Sequence, residues 1–514
     1  MKSQKILKLL FQIIFITQTC YSMQLLHRAD MPSVWEQNYI NKRLQKEKES
    51  IKIFTGKNNA EYSSLPKIAL VGSGGGMRAH IAFLGTMLGL QEIGLLDGIR
   101  YASVLSGSTW MLGTFLTKVI MDETPDLNKF AQYVQARANE GLLDGDDVKV
   151  SDDMLSKISA KILNREKIQP SDIWGMVVMH RLMSDLHGAE LDITFKEIRN
   201  LLNLTTFFPF PIFNAAITNE GVGNYKWLEV NPYTTGSPHL GAFVQTNFFE
   251  SKFRNGELKN GYPESSLAEW LGLFGSAYCV TSQDAAGHTS ISALDLVNSI
   301  LKKLDKLPFV DPSQHRFLEA KMNNFTYRLN TTLGKAETLE LVDAGMAFNL
   351  PFPPLFNLNR NIDVFIVCDA SADNGQLNHV INYAIENNIP FPTKSTKYEI
   401  DIDSETLTFE VLKENGTPTV IYFKNPIEHS TIDFTYSKQE FLHLSCVMQT
   451  MVEKAKNVIR MEIRNKVGNV QESSWINDEV EQVEIPYIEN TSQPNIVARS
   501  GSRIAKLFSK IGCC

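Results

Sequence analysis

Two places in the chain combine a short apolar run, a turn of small residues and an apolar helical segment. In the first, residues 67–71 form the apolar run, 72–76 the glycine-rich turn and 77–96 the predicted helix. In the second, residues 101–105 form the run, and 106–115 contain the turn and the start of a helix. Strand, turn and helix in this order begin a βαβ unit, whose strands lie parallel. The repeated junction therefore predicts an α/β fold with a mainly parallel sheet.

The remainder of the chain indicates one large unit between two terminal segments. We predict one domain over residues 61–470, because residues 64 to about 464 contain no internal repeat, low-complexity stretch or long linker rich in glycine and proline. Charged segments with helical patterns occupy about 121–204, and we predict that they form a helical cap inserted over the sheet. Residues 23–60 lead into this unit, and residues 471–514 form a tail that is first acidic and then basic.

The composition excludes several classes of protein. The 514 residues include 50 basic and 57 acidic side chains, a net charge of −7, without the clustered basic surface of a nucleic-acid-binding protein. The six cysteines show no CxxC spacing, so neither a zinc site nor a disulfide framework is predicted. A chain of this length and apolar content is also neither disordered nor a small disulfide scaffold.

The N-terminus has the pattern of a secretory signal peptide. Three lysines precede an apolar stretch at residues 9–17, and small or polar residues lead to Ser22. We predict a signal peptide over residues 1–22, which implies a secreted or membrane-associated protein. An uncleaved amphipathic anchor at the membrane surface is the alternative.

The C-terminus points to a different location. Residues 499–511 place basic and apolar side chains on opposite sides of a short predicted helix, a pattern typical of membrane surfaces. The chain then ends at Cys513 and Cys514, and paired thiols beside a basic helix suit lipid attachment. A cytoplasmic protein anchored to a membrane through Cys513 and Cys514 is therefore the alternative location, and a tail without function also fits the pattern.

The glycine-rich turn at residues 72–76 differs from known phosphate-binding loops. Met77 stands where the third glycine of GxGxxG belongs, and the Gly-Lys-Ser/Thr of a P-loop is missing. The turn does bring backbone N–H groups to a helix N-terminus, where they can stabilise an anion. Such donors suit the oxyanion of an ester-cleaving reaction as well as a phosphate.

The turn after the second strand contains a candidate nucleophile. Ser106 stands between a predicted strand and helix with the small residues Gly107 and Ser108 after it, as in a nucleophile elbow. Val104 is a β-branched residue where a tight elbow usually has a small one. A helix-capping serine without a catalytic role is the alternative interpretation of Ser106.

Three motifs resemble the catalytic domain of the cytosolic (group IV) phospholipase A2 family. They are Ser-Gly-Gly-Gly-Met-Arg at 73–78, Leu-Ser-Gly-Ser-Thr-Trp at 105–110 and Val-Asp-Ala-Gly at 342–345, the last followed by a proline-rich apolar loop. The motifs stand in the family's order, and the resemblance covers about residues 60–450. It implies a patatin-like hydrolase, a three-layer α/β/α fold, for residues 61–470. It also marks Val104 as a departure, since the family usually has glycine there.

The resemblance assigns roles to five residues. It implies that Ser106 is the nucleophile, that Asp343 is its carboxylate partner, that Gly75 and Gly76 form the oxyanion hole, and that Arg78 binds the substrate phosphate. A carboxylate within hydrogen-bond reach can take the proton of a serine, so this dyad needs no histidine, metal or other cofactor.

Physical reasoning also predicts that Arg78 binds a ligand. A cation is disfavoured at a helix N-terminus, and a guanidinium pairs well with phosphate. His80 lies close to the glycine turn in sequence, so a Ser-His-Asp triad remains an alternative.

The expected function is calcium-independent hydrolysis of acyl esters of glycerophospholipids or lysophospholipids through an acyl-serine intermediate. The expected partner is a phospholipid membrane or the surface of a lipid aggregate. A lysophospholipid acyltransferase on the same site and a catalytically inactive lipid-binding homologue are the alternatives. The aromatic stretches 207–213 and 348–356 would line an acyl-chain funnel under this interpretation, or form core.

Overall fold

A computed structural model describes most of the chain between residues 25 and 485. The described residues are 25–466 and 481–485, apart from 30, 57–64, 141–151, 164–167, 184–185, 187, 222, 278–319, 403–404 and 432–433. The predicted signal peptide at 1–22 and the predicted C-terminal helix with Cys513 and Cys514 lie outside the described residues.

Strands and helices alternate at the start of the described residues, only helices follow between residues 107 and 204, and most elements from residue 210 onward are strands. The α-helices are α1 (Val34–Thr55), α2 (Met77–Glu92), α3 (Gly107–Asp122), α4 (Leu127–Arg137), α5 (Asp152–Leu163), α6 (Pro170–Leu182), α7 (Phe195–Leu204), α8 (Leu267–Phe274), α9 (Gln376–Glu386), α10 (Lys438–Lys454) and α11 (Lys456–Lys466). The strands are β1 (Leu26–Arg28), β2 (Ile68–Gly72), β3 (Ile99–Val104), β4 (Phe210–Ile217), β5 (Lys226–Val230), β6 (Thr234–Ser237), β7 (Ala242–Gln245), β8 (Lys252–Arg254), β9 (Glu257–Asn260), β10 (Ala320–Asn323), β11 (Thr338–Asp343), β12 (Val364–Asp369), β13 (Ser395–Ile402), β14 (Glu405–Leu412), β15 (Thr419–Lys424) and β16 (Glu481–Ile485).

Fourteen of the described strands form one sheet with a parallel centre. Its order is β1-β7-β6-β5-β4-β3-β2-β12-β15-β14-β13-β16, with β11 attached to β4 and β10 attached to β11. The pairs from β4 through β3, β2 and β12 to β15 are parallel, and the strands outside this centre pair antiparallel. The predicted α/β fold is confirmed, and its parallel centre carries the two strand–turn–helix junctions.

The central strands are buried on both faces, as their apolar sequences require. Every residue of β2, β3 and β12 is buried, which is typical of parallel strands covered by helices. The helix α2 ends at Glu92, before the predicted residue 96, because Gly94 takes the left-handed conformation (φ 78°) that terminates a helix.

The segment that leads into the large unit is held to the sheet by a buried ion network. On α1, Glu36 accepts hydrogen bonds from Arg360 at 2.8 and 2.9 Å, and Arg360 also donates to Glu229 of β5 at 2.6 and 2.8 Å. All three side chains are at most 5% exposed. Removing one partner of such a network would leave a buried charge uncompensated, at a cost of about 3 to 5 kcal/mol.

The predicted insertion at 121–204 is helical in its described part. It contains α4 to α7, and α6 packs closely against α8, where a Cβ on Gly175 would overlap the backbone carbonyl of Ala268. No helix among the described residues is both long and apolar enough to cross a membrane.

The aromatic stretches at 207–213 and 348–356 contribute to the core. Phe208, Phe210, Phe213 and Phe352 are at most 1% exposed. Their rings pack against other aromatic rings, such as Phe213 against Phe274 at 5.6 Å between centroids. The packing of these four rings therefore supports the interpretation of the two stretches as core and not as the lining of an acyl-chain funnel.

Candidate active site

Ser106 lies in a strained turn between β3 and α3. Its φ of 49° and ψ of −116° lie in a region that non-glycine residues rarely adopt, whereas α3 begins at the next residue, Gly107. This conformation is that of a nucleophile elbow, in which strain presents a serine side chain above the end of a sheet. Gly107 has no room for a side chain, because a Cβ there would overlap the carbonyl oxygen of Gly76.

Asp343 reaches Ser106 through the pairing of β4. The first part of β4 pairs parallel with β3, so that Phe213 lies opposite Val104. The second part pairs antiparallel with β11, so that Ala215 lies opposite Asp343. Because β3 and β11 approach from opposite directions along the same side of β4, their ends meet within about two residues of each other.

The carboxylate of Asp343 is buried and lies beside three hydrogen-bond donors. The N–H of Gly345 donates to its Oδ1 at 2.8 Å, and the hydroxyl of Ser106 and the N–H of Ala277 are further donors. Burial raises the pKa of Asp343 from 3.8 to about 7, although all three donors act to lower it. A general base with a pKa near the working pH is suited to proton transfer at neutral pH.

The glycine-rich turn lies directly against the elbow. Gly75 and Gly76 have φ values of 137° and 61°, and α2 begins at the next residue, Met77. Ser73 and Gly74 donate their N–H groups to the carbonyls of Cys368 and Asn349. Among the described residues no backbone carbonyl accepts from the N–H of Gly75 or Gly76. These two amides, at a helix N-terminus, are therefore placed to stabilise an anion.

Arg78 lies beside the glycine turn, where its guanidinium binds protein oxygens. It is 3% exposed, and its Nη2 would be 3.1 Å from a Cβ on Gly75. Nε donates to the carbonyl of Ala370 at 2.6 Å, Nη1 to the carbonyl of His429, and Nη2 to Oγ1 of Thr431 at 3.1 Å. These bonds tie the segments at residue 370 and at residues 429–431 to the glycine-rich turn. Binding of a substrate phosphate by Arg78 stays a prediction.

His80 does not extend the candidate dyad to a triad among the described residues. It is fully buried on α2, and neither ring nitrogen has a hydrogen-bond partner among the described residues. Burial lowers its pKa to about 3. Its ring therefore donates no hydrogen bond to Ser106 or Asp343, and the described geometry gives no support to the triad alternative.

Val104 is accommodated as a strand residue of the core. It is fully buried at the end of β3, between Gly72 of β2 and Phe213 of β4. Its carbonyl accepts a hydrogen bond from Nδ2 of Asn214 at 2.9 Å. The branched side chain thus packs within the sheet, one residue before the chain turns at Leu105.

Several residues that brace the site carry no sequence signal of their own. Oγ of Ser108 donates to the carbonyl of Ser73 at 2.6 Å and ties the two junctions together. Oγ of Ser73 accepts from the N–H of Ala370 at 2.7 Å and attaches the loop after β12. Ser73 and Ser108 lie inside the motifs and could have been singled out there. Ala277 and Ala370 could not, since they act through backbone atoms.

Among the described residues, no group of three or more His, Cys, Asp or Glu side chains is arranged to hold a metal ion.

Curated proteins with similar sequences are cytosolic phospholipases A2. Human cytosolic phospholipase A2 zeta is 26% identical over 451 residues, covering 76% of this chain and 52% of that protein. Mouse cytosolic phospholipase A2 gamma is 32% identical over 250 residues, covering 47% of this chain and 38% of that protein. The human gamma protein is 26% identical, covering 71% and 80%. The chain thus spans about half the length of the zeta protein that it matches.

A solved structure shares the fold, and a family model covers the core of the chain. Human GIVD cytosolic phospholipase A2 matches with a TM-score of 0.69 and 18% identity, covering 86% of this chain and 68% of that one. The model of the lysophospholipase catalytic domain matches residues 68–384, which include both strand–turn–helix junctions and Asp343. The resemblance drawn from the three motifs is confirmed, and the chain belongs to the lysophospholipase catalytic domain family.

Proposed function

We propose that this chain is a serine hydrolase that cleaves acyl esters of glycerophospholipids or lysophospholipids through a Ser-Asp dyad. The observation that carries the proposal is that the hydroxyl of Ser106, in its strained turn, lies beside the buried carboxylate of Asp343 as a donor that favours its ionised form. A hydroxyl becomes a nucleophile when such a base takes its proton. Membership of the lysophospholipase family supports the choice of a lipid ester as substrate.

The first half of the proposed reaction forms an acyl-enzyme. Oγ of Ser106 attacks the ester carbonyl carbon while its proton moves to the carboxylate of Asp343. The N–H groups of Gly75 and Gly76 stabilise the oxyanion that forms on the carbonyl oxygen. The tetrahedral intermediate then collapses, the bond to the glycerol oxygen breaks, and Asp343 returns its proton to that oxygen.

The second half releases the fatty acid. A water molecule gives a proton to Asp343 and attacks the acyl carbon, and the bond to Oγ of Ser106 breaks as the proton returns to the serine. Arg78 lies at the edge of the oxyanion turn and supplies positive charge for a phosphate. None of these steps uses a metal ion, so we propose that hydrolysis is independent of calcium.

Hydrolysis of defined lipids by the purified full chain tests the proposal. Phosphatidylcholine and lysophosphatidylcholine would each be assayed with calcium and with EDTA, using the Ser106→Ala and Asp343→Asn variants as comparisons. We expect both variants to lose at least about 1,000-fold in kcat, because members of a catalytic unit are each indispensable. Chelation should leave the rate of the wild-type protein unchanged.

Covalent labelling identifies the nucleophile independently of turnover. A solved relative, human GIVD cytosolic phospholipase A2, forms a complex with methyl gamma-linolenyl fluorophosphonate. The same reagent should modify Ser106 of the wild-type chain, as read by peptide mass spectrometry. Ser108, two residues away and hydrogen-bonded to Ser73, is the matched serine that should stay unmodified. Activity that survives Ser106→Ala, or a label on another serine, would refute the assignment.

The same assay separates the two other functions. In the presence of a lysophospholipid acceptor, an acyltransferase passes the acyl chain to the acceptor alcohol faster than to water. An inactive lipid-binding homologue would bind liposomes without being labelled by the fluorophosphonate.

We further propose that the protein is exported after removal of residues 1–22. The basic and apolar pattern of that segment supports this location. N-terminal sequencing of the protein from a secreting cell should begin near Met23, whereas an intact N-terminus with acylated Cys513 and Cys514 would establish the cytoplasmic alternative.

A further inference from the structure

A backbone turn at residues 275–277 connects α8 to the carboxylate of Asp343. Gly275 closes the end of the helix, with its N–H donating to the carbonyl of Leu271 at 3.1 Å. Two residues later, the N–H of Ala277 lies beside the carboxylate of Asp343 as a donor that favours its ionised form. The position of this turn therefore decides whether one of the three donors reaches the carboxylate.

Two tryptophan side chains hold the turn from different helices. Nε1 of Trp174, on α6, donates to the carbonyl of Gly275 at 3.1 Å. Nε1 of Trp110, on α3, donates to the carbonyl of Leu271 at 3.2 Å. The two rings pack edge to face with centroids 6.0 Å apart, and each side chain is 2% exposed. Buried, hydrogen-bonded rings of this kind leave the turn little freedom to move.

Gly275 fits against Trp110 without space for a side chain. A Cβ at this position would lie 2.5 Å from Nε1 of Trp110 and 2.6 Å from its Cζ2. The φ of Gly275 is −111°, which any residue can adopt. Glycine is therefore required here by the contact with the indole ring and not by the backbone conformation.

We propose that Trp110, Trp174 and Gly275 form a clamp that positions the N–H of Ala277 on the carboxylate of Asp343. The clamp joins the helix that begins after the nucleophile, α3, to a helix of the 121–204 insertion, α6, and to the end of α8. The insertion thereby helps to orient the general base, although none of its residues is assigned to the chemistry. This inference rests on the proposed Ser-Asp hydrolase.

The clamp has a specific consequence for pH dependence. Burial has the largest effect on the pKa of Asp343. The other influences are three donors, the N–H of Gly345, the hydroxyl of Ser106 and the N–H of Ala277, and no charged side chain of the described residues is among them. Each donor favours the ionised carboxylate, which is the form that can accept the serine proton. Loss of the Ala277 donor should therefore move the acidic limb of the pH–rate profile to higher pH.

The test compares Trp174→Phe and Gly275→Ala with a matched control. Trp174→Phe keeps an aromatic ring and removes the donor to Gly275, whereas Gly275→Ala displaces the turn from Trp110. The control is Trp270→Phe, because Trp270 lies on α8, is also 2% exposed, and its Nε1 has no hydrogen-bond partner among the described residues. The readout is kcat/KM for a lysophospholipid from pH 5 to 9, with thermal unfolding measured for each variant.

We expect both clamp variants to shift the acidic limb upward by about one pH unit, the value of one hydrogen bond to a charged group. Their rates should then be about tenfold lower at pH 6 and within about twofold of wild type at pH 9. The profile of Trp270→Phe should superimpose on that of the wild-type protein.

Two results would overturn the clamp. One is an unchanged limb in both variants. The other is a loss of equal size at every pH, which a purely structural role would produce. If Trp174→Phe fails to fold, the profile of Gly275→Ala decides the question. Failure of the proposed function is distinguishable, because it would appear as a wild-type protein without Ser106-dependent hydrolysis.

Discussion

Replacing Asp343 by asparagine should abolish activity and, at the same time, stabilise the fold in a pH-dependent way. Burial raises the pKa of Asp343 from 3.8 in the unfolded chain to about 7 in the folded protein. Between these two values the folded protein holds a proton that the unfolded chain has released. The free energy of unfolding of the wild-type protein therefore falls as the pH rises through this interval.

The size of the effect follows from the shift in pKa. Each unit corresponds to about 1.4 kcal/mol, so the full shift amounts to about 4 kcal/mol of stability lost above pH 7. Asparagine has no proton to lose at this position. The stability of Asp343→Asn relative to wild type should thus increase by about 3 kcal/mol between pH 5 and pH 8.

Urea denaturation of both proteins at pH 5 and pH 8 measures this difference. Glu250→Gln serves as the control, because burial also raises the pKa of Glu250 to about 7. That variant should be stabilised at pH 8 in the same direction and should keep its hydrolytic activity. A stability difference between Asp343→Asn and wild type that is equal at the two pH values would refute the argument that burial keeps this carboxyl protonated.

Three further substitutions test the other residues of the site. Gly76→Ala should lower kcat about 100-fold, the value of one oxyanion donor, because its φ of 61° and the nearby carbonyl of Thr431 leave no place for a methyl group; an unchanged kcat would remove Gly76 from the oxyanion hole. Arg78→Lys should raise KM for a phospholipid about tenfold, since a lysine lacks the planar fork, while KM for an ester without phosphate stays the same; equal changes for both substrates would indicate that Arg78 acts only by holding its loops. His80→Leu should keep kcat within about twofold, because a buried histidine without hydrogen-bond partners takes no part in proton transfer; complete loss of activity in a folded variant would revive the triad.

The local parts of the site could be predicted from the sequence because they depend on neighbouring residues. The runs before residues 72 and 105 are apolar and lead into small residues, and these patterns alone place a strand, a turn and a helix. Ser106 and the glycine pair Gly75 and Gly76 lie within those turns, so their proximity to the edge of the sheet follows from the fold class.

The position of Asp343 beside Ser106 depends on pairing between strands that are far apart in the sequence. Asp343 follows Ser106 by more than two hundred residues, and it reaches the elbow because β4 pairs with β3 at one end and with β11 at the other. The register of such pairs is set by packing across the whole sheet, which no local pattern records. The motif resemblance identified Asp343, but its burial and its pKa of about 7 come from the tertiary structure.

The sequence by itself therefore determined the α/β class and the two strand–turn–helix junctions that contain Ser106 and the glycine pair, since periodicity and small residues act over a few positions. Only the tertiary structure decided that Arg78 binds the carbonyls of Ala370 and His429, and that Trp174 supports the turn beside Asp343. Those contacts are made by backbone carbonyls of distant segments. Every residue carries the same carbonyl group, so the sequence does not indicate which of them accepts a given hydrogen bond.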